Sequence, residues 1–247
     1  MSGHWSADGI AAAALFGVTA VGVCAAALKP AADSGRVARE GGTVFLPLRL
    51  MQGGYALAAP LVRLLVAAGV RPAAITWFSL VPGAGAGVAV AAGRPGLGAW
   101  LLALSGVCDL LDGAVARATG RVSAGGAALD STLDRYVEFF FLAGVVWFFA
   151  GRPELQLLAM AALLGSFMVT YSTAKAEALG VTPPRGWMKR AERLVWLAAG
   201  AAGAGLAPLA GRPAWPVLAA AVGVVAVFAN LSAGRRLAAL QRSADGK

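Results

Sequence analysis

The stretch CDLLDGAVARATGRVSAGGAALDSTLDR, residues 108–135, sets four carboxylates in a chain otherwise composed for lipid. A third of the twelve acidic residues, Asp109, Asp112, Asp130 and Asp134, fall between positions 109 and 134. An aspartate at the bilayer centre costs about 2.5–3.5 kcal/mol on insertion scales, and four unpaired ones on the order of 10 kcal/mol. Such a cluster calls for a cation, so a metal site is the first expectation and chemistry the second.

Working outward, the 247 residues are 59% hydrophobic and 13% charged, with a mean hydropathy of +0.72. A soluble domain carries roughly 25% charged residues. The chain therefore reads as an all-α polytopic membrane protein. Its apolar segments are rich in Ala and Gly, which let helix backbones approach closely in lipid. The net charge of +9 is assigned to cytoplasmic loops and not to a nucleic-acid surface. Cys24 and Cys108 sit in apolar segments with neither a disulfide framework nor zinc spacing. His4 is the sole histidine, which excludes a histidine-based triad.

Apolar segments of membrane length run over about 9–28, 73–92, 96–117, 129–150, 154–178, 190–208 and 215–233. Between the first two, residues 29–44 form a polar linker with Lys29, Asp33, Arg36, Arg39 and Glu40. Residues 45–69, with Arg49 and Arg63 among apolar neighbours, predict an amphipathic helix in the membrane interface. The expected architecture is a six-helix transmembrane core plus this interfacial helix and one extra N-terminal transmembrane helix. In domain terms, 1–44 is the N-terminal helix and linker, 45–235 the membrane domain and 236–247 a cytoplasmic tail. Gly83 and Gly87 form a G-x-x-x-G, read as helix packing or a dimer contact.

Charge sets the expected orientation. Arg94, Arg152 and Arg212, each in a Gly-Arg-Pro turn, are the basic residues on one side. The other side receives Lys29, Arg36, Arg39, Arg49, Arg63, Arg71, Arg117, Arg121, Lys175, Arg185, Lys189, Arg190, Arg235, Arg236, Arg242 and Lys247. The N-terminus is then outside, as a retained helix and not a cleaved signal, since no Lys or Arg precedes the first apolar run. The aspartates lie at the cytoplasmic face, expected to be that of a bacterial inner membrane. Trp77, Trp100, Trp147, Trp187, Trp196 and Trp215 fall mostly near segment ends, as interface anchors do.

Asp109 and Asp112 are three apart and Asp130 and Asp134 four apart, so each pair shares a helix face. The Gly-rich turn between them lets the helices return antiparallel and the carboxylates converge. All-oxygen ligation suits Mg²⁺ or Mn²⁺, and four carboxylates suit two ions. Gly113 leaves room beside Asp112, Ala116 is small on the same stripe, and Arg117 supplies a fork for diphosphate oxygens.

The ungapped pattern D-x2-D-G-x2-A-R-x8-G-x3-D-x3-D, formed by Asp109, Asp112, Gly113, Ala116, Arg117, Gly126, Asp130 and Asp134, resembles the signature of the CDP-alcohol phosphatidyltransferases. The resemblance covers roughly residues 45–235, leaving the first helix as an addition without an assigned role. It implies that a CDP-linked lipid, usually CDP-diacylglycerol, is attacked at its lipid-side phosphate by an alcohol hydroxyl, releasing CMP. By position, Asp109, Asp112, Asp130 and Asp134 would ligate the metals, and Asp134 would also be the general base. Asp112, Gly113, Ala116, Arg117 and Gly126 would contact the CDP moiety, with Thr76 near the nucleotide. A homodimer in the bilayer is expected.

LDSTLDR, TYSTAKAEALG and RGWMKRAER resemble the branch of phosphatidylinositol phosphate and archaetidylinositol phosphate synthases. That implies inositol phosphate as the acceptor, with Lys175 and Arg193, then Arg135 and Arg190, on its phosphate. Loop charge is the simpler reading for Lys189, Arg190 and Arg185, and Arg193 has Glu138 or Glu177 as structural partners. Glycerol 3-phosphate would also need a basic pocket; serine would need it less. Two other classes, a prenyl-diphosphate transferase and a divalent cation transporter, also use intramembrane carboxylates.

Overall fold

The computed structural model describes residues 6–28, 48–181 and 187–245. The linker 29–44 and Arg185 lie outside the described residues. Eight α-helices are described: α1 Ala7–Leu28, α2 Leu48–Ala67, α3 Pro72–Ala91, α4 Pro95–Ala118, α5 Ala124–Phe148, α6 Pro153–Ala178, α7 Arg190–Leu206 and α8 Trp215–Asp245. A 3₁₀ turn, Ala207–Ala210, follows α7. Six of these, α1, α3, α4, α6, α7 and α8, are long and apolar enough to cross a membrane. The seventh expected crossing, α5, falls short of that measure because its first half carries Asp130, Asp134, Arg135 and Glu138. It nonetheless packs along α3. The chain is an integral, multi-pass helical membrane protein.

The punctuation is local. Arg71, Arg94 and Arg152 each precede a proline at the first helical position of α3, α4 and α6. There the missing N–H costs nothing. Gly93 and Gly151 before the latter two have φ of +76° and +82°, the left-handed turn that ends the preceding helix. The start of α5 differs from the reading at 129. Ser123 accepts a hydrogen bond from the Gly126 amide at 3.0 Å, and this cap starts the helix before the apolar run begins. At the other end of the chain, α8 runs on to Asp245, and Arg236 and Leu240 within that extension are buried.

Helix α3 packs against both α4 and α5, while α4 and α5 touch each other little. The α3–α5 contact is backbone on backbone. A Cβ on Gly87 would lie 2.1 Å from the Phe140 carbonyl oxygen, and one on Gly144 would lie 2.1 Å from that of Gly87. The G-x-x-x-G thus works within the chain, with Gly83 against Val137 on α5. Helix α7 packs on α4 and α8, and α6 pairs with α8.

The additional helix α1 packs against α2, α4 and α7. Asp8 accepts hydrogen bonds from the Gly96 and Leu97 amides at 3.0 and 2.8 Å, capping α4 at the positive end of its dipole. The Trp100 indole donates to the Ala11 carbonyl. Glycines Gly96 and Gly205 let Ala12 close against both helices.

Because a methyl at residue 87 has nowhere to go, Gly87→Ala should lower stability by about 1–3 kcal/mol, the usual cost of overpacking. Gly125→Ala, whose added Cβ meets nothing within 4 Å, should be neutral or stabilise by up to about 1 kcal/mol. Thermal unfolding of the two variants in the same detergent checks the pair.

Candidate functional site

The aspartate pairs come from opposite chain directions. Asp109 and Asp112 lie in the last turns of α4, and Asp130 and Asp134 in the first half of α5. Asp109, Asp112 and Asp130 each offer an oxygen, and the three lie within 4.8 Å of one another. Asp112 is buried, and its Oδ2 and the Oδ1 of Asp130 have no hydrogen-bond partner among the described residues. A buried carboxylate oxygen left without donor or cation is costly. A hard divalent ion fits this donor set, since carboxylate oxygens are what it prefers. The cluster can hold a metal.

Asp134 stands outside that trio and is held by Arg190, the first residue of α7. The Arg190 guanidinium spans two helices: Nη1 meets Asp109 Oδ1 at 2.6 Å, and Nη2 meets Asp134 Oδ1. Behind it lies a cavity of about 20 Å³ lined by Asp134, Glu138, Leu102 and Phe141 among others, enough for about one water.

The Arg193 fork is engaged by a carboxylate. Nε and Nη2 donate to the two oxygens of Glu138 at 2.6 and 3.0 Å, and Nη1 donates to the Met188 carbonyl at 2.8 Å. Arg193 is 2% exposed. Met188, fully buried with φ of 56°, holds a left-handed backbone that a non-glycine rarely adopts. The Lys189 amide donates to Glu192 at 2.9 Å, which fixes the start of α7 from the other side.

Thr76 on α3 is buried beside Asp112, its hydroxyl donating to the Pro72 carbonyl at 3.1 Å. Gly113 and Ala116 are half-buried on α4, Arg117 is exposed near its end, and Gly126 lies in the exposed first turn of α5. Lys175 is exposed in the last turn of α6. Arg135 is half-buried and donates to the backbone and hydroxyl of Ser131 on its own helix. The structure thus brings Thr76, the four aspartates and Arg190 together, and Gly126 takes part in the Ser123 cap of α5.

Sequence reasoning passed over Arg236. It is 7% exposed, donates to Thr173 and the Val169 carbonyl on α6, and its Nε has no partner among the described residues. The Arg235–Arg236 pair reads as tail charge only if α8 ends at 233. The signal available was the apolar spacing of Leu237 and Leu240, which continues the helix.

A multi-pass helical fold with clustered carboxylates at one end of a hairpin defines an integral membrane protein with a candidate metal centre. More specifically, the chain belongs to the CDP-alcohol phosphatidyltransferase family, whose model matches residues 69–232. A phosphatidylinositol phosphate synthase of Mycobacteroides abscessus is 35% identical over 60% of this chain and 65% of its own length. An archaetidylinositol phosphate synthase of Methanothermobacter thermautotrophicus is 42% identical over 51% of this chain and 62% of its own. The chain thus spans a little under two thirds of either relative's length. Among solved structures, the phosphatidylinositol phosphate synthase of Mycobacterium tuberculosis with CDP-DAG bound superposes with a TM-score of 0.67 at 27% identity, covering 74% of this chain and 92% of that one. The same enzyme has been solved with manganese and citrate.

Glu138 and Arg193 form a largely desolvated pair, so removing one member strands the other. Glu138→Gln or Arg193→Met should each cost about 3–5 kcal/mol. The double variant should cost less than the sum, a deficit that a double-mutant cycle on thermal unfolding measures.

Proposed function

We propose that this protein transfers the phosphatidyl group of a CDP-diacylglycerol-type lipid to a hydroxyl of inositol phosphate, releasing CMP at the cytoplasmic membrane face. The observation that carries the reading is the Asp109–Asp112–Asp130 trio with its two unpartnered buried oxygens. Inositol phosphate is favoured over glycerol 3-phosphate and serine by the relatives, which are named phosphatidylinositol phosphate and archaetidylinositol phosphate synthases. The basic residues around the cluster favour a phosphorylated acceptor over serine.

In this reading Asp109, Asp112, Asp130 and Asp134 would hold two divalent ions, Mg²⁺ or Mn²⁺. When bound, these would offset the charge on the phosphoryl oxygens. Gly113 and Ala116 leave space for the nucleotide beside Asp112, Thr76 borders it, and Arg117 sits a turn further on to meet the diphosphate. The acceptor hydroxyl attacks the lipid-side phosphorus, the bond from that phosphorus to the CMP oxygen breaks, and the hydroxyl proton passes to Asp134. Arg190, Lys175 and Arg135 are the cations for the acceptor's phosphate, with Arg236 added from the structure. Arg193 serves the same pocket by holding α7 to α5 through Glu138.

Asp109→Asn and Asp130→Asn, each still folded in detergent, should lower CMP release from CDP-diacylglycerol by at least about 100-fold, given the usual cost of losing an electrostatic catalytic group. The assay offers inositol phosphate, glycerol 3-phosphate, serine and inositol in parallel. Near-native activity in either variant ends the metal assignment, and CMP formed fastest with glycerol 3-phosphate, serine or free inositol ends the acceptor assignment.

A further inference from the structure

Arg190 holds two carboxylates that the proposed metals would also need, and its backbone cannot follow them. On one side the Lys189 amide is bonded to Glu192. On the other, Arg193 is tied to Glu138 and to the Met188 carbonyl. The base of the side chain is therefore fixed, while its tip reaches across the gap to Asp109 on α4 and Asp134 on α5. The side chain as a whole is 29% exposed, so it is not locked in by packing. Helices α4 and α5 touch each other little, and the guanidinium bridges them.

We propose that Arg190 is an internal counter-cation competing with divalent ions for Asp109 and Asp134, so that metal loading frees its guanidinium for the acceptor's phosphate. The inference rests on the metal reading above and assigns Arg190 a coupling role within it. Like charges repel, and an oxygen that accepts a charge-assisted hydrogen bond is a poorer ligand. A divalent ion at Asp109 or Asp134 and a guanidinium at the same oxygens therefore disfavour each other. A phosphate dianion relieves the conflict by drawing the guanidinium away. Metal and phosphorylated acceptor then bind with positive cooperativity, and linkage makes the effect reciprocal.

The test uses the full chain in detergent and reads free Mn²⁺ by electron paramagnetic resonance, without turnover. Arg190→Gln should bind Mn²⁺ roughly tenfold more tightly than the native protein, within the range usual for coupled sites. Inositol phosphate should tighten Mn²⁺ binding to the native protein and leave Arg190→Gln unmoved, after subtraction of Mn²⁺ held by the phosphate alone. Arg190→Lys keeps the charge but cannot bridge two carboxylates; it should fall between the two and carries the test if Arg190→Gln does not purify folded. Equal or weaker Mn²⁺ binding by the variants overturns the competition. Tighter binding with no response to inositol phosphate in the native protein overturns the coupling. A native protein that binds no Mn²⁺ overturns both this inference and the metal reading beneath it, which separates that failure from the others.

Discussion

Buried carboxylates need cations, and in a chain built for lipid this requirement organises one end of the helix bundle. Glu138 meets Arg193, and Asp109 and Asp134 meet Arg190. Desolvating an ion pair costs several kcal/mol per ion, returned only when geometry and further hydrogen bonds are good. Arg193 satisfies that condition with a bidentate contact and a third bond to a carbonyl. Asp112 and Asp130 do not, since each keeps an oxygen without a donor. The charge left uncompensated is concentrated where a metal would bind.

Delivering these groups to one place depends on the absence of side chains elsewhere. Because Gly87 and Gly144 let α3 and α5 touch along their backbones, α3 can pack against both arms of the α4–α5 hairpin. This brings Thr76 beside Asp112 and leaves the mouth of the hairpin open to α7. The Ala and Gly content that lets helices approach closely in lipid is therefore also what builds the site. Larger residues would widen the bundle and part the carboxylates. At the opposite end, Gly96 and Gly205 do the same for α1, whose Asp8 caps the helix bearing Asp109 and Asp112.

What could be read from the sequence was local. Spacings of three and four put Asp109 with Asp112 and Asp130 with Asp134, and the Gly-rich turn between them forced the pairs toward each other. The apolar runs gave the helices, and proline at the first helical position marked three of their starts. What could not be read depends on contacts distant in sequence. Whether Arg193 pairs with Glu138 or Glu177 is decided by how α7 crosses α5. The burial of Arg236 needs α8 to continue along α6, and the place of α1 needs a hydrogen bond from Asp8 to residues on α4. The early start of α5 is an intermediate case: Ser123 and Gly126 were visible, but the apolar run outweighed the cap.

The distribution of cations also bears on which acceptor suits the site. Arg193 is saturated by Glu138 and Met188, Arg135 is folded back on Ser131, and Arg190 is shared between two aspartates. A neutral alcohol would have to draw on these groups without offering charge in return, leaving a carboxylate or a guanidinium unpaired. A phosphate monoester supplies negative charge itself, so a guanidinium can move to it once a divalent ion has taken its place at Asp109 and Asp134. Buried donors left unmatched are the strongest source of discrimination a polar pocket has. Under the proposed reading, selectivity for a phosphorylated acceptor therefore comes from the pairing already present around Arg190. A further pocket wall is not required.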